Sequence, residues 1–123
     1  MQKMVLAFLV LTLSSCGGSV SVYNRLGNLR GSVRAEPDTA VILDAEGNQV
    51  GTVEGREVRD IADAIVGQVI KREGLVLIEG EEATGYLQDG TDCYDVMGYK
   101  QGRLTHTIDA EAAAGACLLL IFR

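Results

Sequence analysis

Val41-Ile42-Leu43-Asp44-Ala45-Glu46-Gly47-Asn48-Gln49-Val50-Gly51-Thr52-Val53 decides the fold of this chain. Apolar residues flank Asp44 to Asn48, a run of turn formers. An Asx side chain hydrogen-bonds nearby backbone amides, and glycine accepts the positive φ that a tight turn demands. Beyond the turn, Gly51, Thr52 and Val53 alternate with period two, the mark of a half-buried strand. The segment predicts strand, tight turn, strand.

The pattern recurs along the chain. Aligned on the second glycine, the copies fall at Gly31, Gly51, Gly67, Gly85, Gly102 and, with the weakest match, Gly115. Two residues beyond them stand Val33, Val53, Val69, Leu87, Leu104 and Cys117. Seven residues before the glycine stand Asn24, Asp44, Asp60 and Asp95, and four before it Gly27, Gly47, Asp63 and Gly98. The fourth copy departs, with Glu79 six residues before Gly85. Copies are 13 to 20 residues apart, a length that suits one hairpin per repeat. Glycine inside a strand weakens it unless something approaches its backbone closely. A shared cause for the recurring glycine is convergence of the hairpins on a common axis; the alternative is a series of bulges in an ordinary meander. The fold class expected is all-β: five or six short hairpin repeats around one axis.

On Asp44 to Val53, Asp60 to Val69 and Asp95 to Leu104 the chain resembles the four-fold and five-fold beta-flower families, over roughly residues 20–107. Those families include secreted and lipid-anchored bacterial chains, and the resemblance brings no catalytic residues with it.

Two segments pull away from an all-β reading. Val58, Ile61, Ala62, Ile65, Val66, Val69 and Ile70 follow helical spacing, ending in Lys71 and Arg72. Asp60, Gly67 and Val69 nonetheless keep the repeat register, and the β-branched content favours a hairpin. Further on, Asp109 is placed to cap a short helix through Ala114, before Leu118 to Phe122 forms a buried closing strand.

At the other end, Leu13-Ser14-Ser15-Cys16 follows a basic start with Lys3 and an apolar run from Val5 to Leu11. It resembles the lipobox of a bacterial lipoprotein signal. The apolar stretch is about half the roughly 20 residues that span a bilayer. The expected organisation is a removed signal, residues 1–15, then a tether, residues 16–19, lipidated on Cys16, and one β-repeat domain, residues 20–123. The resemblance implies a membrane partner through that anchor, in the bacterial envelope. Gly17 after the cysteine implies the outer membrane, with the domain facing the periplasm.

Removing residues 1–15 takes away Lys3 alone and leaves 10 basic and 17 acidic residues, a formal charge of −7. Such a balance argues against nucleic acid, whose phosphates need clustered cations, and disfavours attachment to anionic headgroups. Aromatic residues make up 5% and Trp is absent, which leaves few stacking platforms. With Cys16 assigned to lipid, Cys93 and Cys117 form an even pair in a compartment where disulfides persist; two buried free thiols are the alternative.

The candidates for chemistry are sparse. His106 is the only histidine and no serine follows Ser32, so a nucleophile set around it would combine Cys93, His106 and an aspartate such as Asp109; a polar residue on a strand surface is the commoner role for such a histidine. Glu79, Glu81, Glu82, Asp89, Asp92 and Asp95 form an acidic stretch without EF-hand spacing, which predicts solvated loops rather than calcium ligands. No cofactor or metal is expected. The expected role is non-catalytic, structural or interaction-based, with an envelope protein as partner. The competing reading is a ligand-binding or hydrolytic protein with a pocket at the hairpin axis.

Overall fold

A computed structural model describes residues 19–72, 75–80 and 84–123. The leader, Cys16 and the tether glycines Gly17 and Gly18 lie outside the described residues, whereas Ser19, expected as the end of the tether, begins the first strand. Ten strands run through the domain: β1 (Ser19–Asn24), β2 (Leu29–Ala35), β3 (Ala40–Asp44), β4 (Gln49–Glu54), β5 (Glu57–Asp60), β6 (Ile65–Arg72), β7 (Leu75–Gly80), β8 (Thr84–Gln88), β9 (Asp92–Asp95) and β10 (Lys100–Leu104). Each pairs antiparallel with its neighbours in sequence, and β1 pairs with β10 to close a barrel. A helix α1 (Ala110–Ala116) follows, and its axis continues as a π-helical turn, Cys117–Phe122. The domain is therefore all-β apart from this C-terminal helix.

Four hairpin tips are built alike. The Oδ1 atoms of Asn24, Asp44, Asp60 and Asp95 each accept from the amides two and four residues on, at 2.8–3.0 Å. The residue three beyond takes positive φ: 84° at Gly27, 89° at Gly47, 66° at Asp63 and 89° at Gly98. Asp63 tolerates this because aspartate is among the few L residues that visit the left-handed region readily. Local chemistry thus sets the tips before any long-range packing.

Barrel pairing corrects the register of the fourth repeat. Gly31 stands opposite Asp44, Gly51 opposite Asp60, Gly85 opposite Asp95 and Gly102 opposite Asn24, whereas Gly67 stands opposite Gly80. Gly80, not Glu79, therefore occupies the Asx position there, and that hairpin is shorter by two residues. The helical spacing of 57–72 does not produce a helix: β5 and β6 form a hairpin through Val58 opposite Gly67. Four hairpins also carry a register shift beside the turn, so bulges and an axial arrangement coexist.

The core has two levels, each complementary to the helix that fills it. At one level the even strands present Val33, Val53, Val69, Leu87 and Leu104, all buried, and the equally buried Val22, Ile42, Val58, Ile78 and Cys93 of the odd strands each stand opposite one of these on one side and a repeat glycine on the other. Walls this bulky leave room only for a slim helix, and α1 supplies Ala112, Ala113, Ala114, Gly115 and Ala116, every one buried. A Cβ on Gly115 would collide with Val53 Cγ2. Gly115 is thus a helix residue, and the repeats number five, not six.

At the other level the even strands present glycine and the helix is bulky. An added Cβ would meet Leu118 at Gly67, Leu119 at Gly51, Leu120 at Gly31, Ile121 at Gly102 and Phe122 at Gly85. These glycines lie on β6, β4, β2, β10 and β8, successive even strands around the barrel. Five consecutive side chains therefore address five walls in order. Walls about 72° apart are poorly matched by an α-helix, which advances about 100° per residue. The i→i+5 ladder of the π-turn, with Arg123 N donating to Leu118 O at 3.1 Å, takes more residues per turn and comes closer. Leu118 to Phe122 is consequently not the closing strand expected from its apolar run. A strand would show only alternate residues to a wall, whereas this segment is walled on all sides.

Candidate functional site

Asp109 caps α1, its Oδ2 accepting from Ala112 N at 3.3 Å. Lys71 Nζ on β6 reaches Glu111 Oε2 at 3.0 Å, which ties the first turn of the plug to the wall. At the far end Arg30 Nε donates to Leu120 O at 3.2 Å. Cys93 on β9 is joined to Cys117 at the α-to-π junction, with Cα atoms 5.8 Å apart. This bond replaces one wall contact by a covalent one and closes a loop of 24 residues. Cys93→Ala/Cys117→Ala should lower unfolding free energy by about 3 kcal/mol, read from chemical denaturation of the two chains.

The sites expected from sequence are distributed as follows. Gly31, Gly51, Gly67, Gly85 and Gly102 all face the plug, and each also abuts a carbonyl of the next strand, from Leu43, Arg59, Glu79, Tyr94 and Tyr23 respectively. Cys93 is bonded to Cys117, so its sulfur is not a nucleophile for the Cys93, His106 and Asp109 set. His106 is exposed, with Nδ1 3.0 Å from Thr105 Oγ1. The acidic stretch disperses: Asp95 holds a tip, Asp92 pairs with Lys100 at 3.4 Å, and Glu81 and Glu82 lie outside the described residues. No group of three or more His, Cys, Asp or Glu is placed to hold a metal among the described residues.

Two carboxyls among the described residues titrate below their ordinary range. Amide donation from Tyr99, opposed by burial and helped by Gln101 and the Met97 amide, lowers Asp95. Burial pushes Glu111 up, but Lys71 and neighbouring hydrogen bonds outweigh it and leave the net shift downward. A depressed carboxyl stabilises the fold above its unfolded pKa and loses that contribution as pH falls through its folded value. The melting temperature should hold from neutrality to about pH 5 and fall below about pH 4. Asp95→Asn should soften the fall while keeping the tip, as Asn24 does in the first hairpin; thermal melts across pH check both.

Concave surface lies at the two ends. Where the hairpins are joined, a cleft of about 460 Å³ is lined by residues 35–40 with Asp109, Glu111 and Ala112, and its charges are acidic. At the tip end, hollows of about 330 and 270 Å³ share Asn24 and Arg25. Arg103 and Lys100 line the first, Arg30 and Ile121 the second. Arg103 also lies 5.0 Å above the Tyr23 ring. This cationic seam between β10 and β1 did not emerge from composition, because net charge averages over the whole surface. Comparison with known proteins gave no matching family model, curated sequence or solved structure.

Proposed function

We propose that this chain is a lipid-anchored protein of the bacterial envelope that acts through its outer surface, as a structural or interaction module of the beta-flower kind. The observation that carries this reading is the filled axis. Ala112 to Phe122 occupy the space between the hairpins, so the rival reading, a pocket at the axis, has no room there. What remains for recognition is the outside of the barrel and its two ends. The lipobox-like Leu13 to Cys16 supports the anchor, and Ser19, the first residue of β1, follows it closely enough to hold the domain near the bilayer. Acylation would confine the domain to a plane and raise its effective concentration toward neighbours there. The resemblance of the Asp-turn-Gly repeats to the beta-flower families agrees with five hairpins around one axis.

Mass analysis of protein recovered from native membranes is the test. The expected result is an amino-terminal Cys16 carrying diacylglycerol, with Cys16→Ser losing both the added mass and the membrane fraction. An intact, unacylated amino terminus would remove the anchor. Turnover of any envelope substrate by the purified protein would remove the non-catalytic assignment, and copurification from membranes would identify the partner.

A further inference from the structure

Charge is segregated along the chain in a way that only barrel closure makes spatial. Residues 19–35 and 96–108 contain Arg25, Arg30, Arg34, Lys100 and Arg103 and no carboxylate. The rest of the mature chain holds all 17 acidic residues with five basic ones. Pairing of β1 with both β2 and β10 brings the two acid-free stretches together as one flank. Arg34 is paired with Glu36 and Lys100 with Asp92. For Arg25, Arg30 and Arg103 there is no carboxylate partner among the described residues.

The same flank carries exposed apolar side chains. Leu26 is 69% exposed, Val96 66%, Met97 75% and Tyr99 66%, with Leu29 beside them. All stand at the tips of the first and fifth hairpins, which adjoin across the β1–β10 seam. Cations surrounding apolar tips with a tyrosine among them match a phospholipid surface. Arginine meets headgroup phosphate, apolar tips enter the acyl boundary, and tyrosine sits at the interface. Across about 10 Å of screening, a headgroup senses these local charges rather than the net −7.

We propose that the β10–β1–β2 flank is a second membrane contact, binding an anionic phospholipid bilayer so that the barrel lies on its side. The part of this that concerns the anchoring membrane rests on the lipidation proposed above. Ser19 begins β1 and the cationic tip ends it, about 20 Å away along the strand. Ser19 is three Cα-to-Cα steps from Cys16, a reach of about 11 Å at most. Anchor and patch therefore occupy the two ends of one strand, and both touch the same bilayer only when that strand lies along it. A single attachment leaves orientation free, and the second sets it, with the acidic remainder turned toward solvent.

The chain has no Trp, so a single substitution reports position. Native lipoprotein carrying Tyr99→Trp is placed in phosphatidylcholine vesicles with or without phosphatidylglycerol, each containing brominated lipid. Quenching of the Tyr99→Trp reporter is expected only with phosphatidylglycerol, with loss of quenching near 0.5 M salt, where the screening length falls to about 4 Å from about 10 Å at 0.1 M. It should also be lost on adding Arg25→Glu/Arg103→Glu, and reduced by Arg25→Glu alone, whose side chain is exposed at a turn. A Leu75→Trp reporter on β7 should stay unquenched throughout. Quenching independent of phosphatidylglycerol, or unchanged by the arginine variants, overturns the proposal. Acylation is read separately from the mass of Cys16. Should the anchor be absent, the same reporter titrated with the same vesicles still tests the patch.

Discussion

Gly51→Val is expected to leave the chain unable to form the native barrel, with a loss of at least about 4 kcal/mol, while Thr52→Val changes stability by less than about 1 kcal/mol. The two positions are adjacent on β4 but face opposite ways. A Cβ at Gly51 collides with the Arg59 carbonyl of β5 and stands 2.7 Å from Leu119 Cδ1. The carbonyl cannot yield, because β4 and β5 are paired through Thr52–Arg59 and Gly51–Asp60. Relief would require parting the strands or withdrawing the π-turn. Thr52 faces outward and is only half-buried, so exchanging its hydroxyl for a methyl leaves the wall untouched. Denaturant midpoints of the two variants, or recovery of soluble protein for Gly51→Val, check the contrast. Equal midpoints would mean that the glycines do not sit against the plug.

Leu118→Asp should be comparably severe, whereas Leu118→Ala should cost about 2–5 kcal/mol. Leu118 is 1% exposed and packs onto Gly67, with strand backbone rather than water around it. A carboxylate there would be desolvated with no partner, since no polar or charged residue is buried among the described residues. Truncation to alanine removes contacts without adding charge, and the wall at Gly67 has no side chain with which to refill the space. Urea unfolding gives the graded order parent, Leu118→Ala, Leu118→Asp. If Leu118→Asp kept the parent midpoint, the segment would not be an interior plug.

The features legible from sequence are those whose cause is local. The Asx-led tips depend on hydrogen bonds within five residues, so Asn24, Asp44, Asp60 and Asp95 declare their turns unaided. The 57–72 hairpin is legible too, because the Asp60 turn and the Gly67 register outweigh an apolar spacing that also fits a helix. Leu118 to Phe122 misleads for a physical reason: an unbroken apolar run has no periodicity, and without it a short strand and a helical segment buried on every side show the same pattern.

The amino-acid order by itself determined that this is a chain of short hairpins with a glycine at one fixed place in each, because turn chemistry and side-chain alternation act over a few residues. Tertiary structure alone decided what the glycines are for, since the side chains that press on them arrive from the far carboxyl end. It also decided that cations from the first and last hairpins share one flank. Closure of β1 onto β10 is an interaction across some 80 residues, with its cause in the sum of a filled interior rather than in any neighbouring pair.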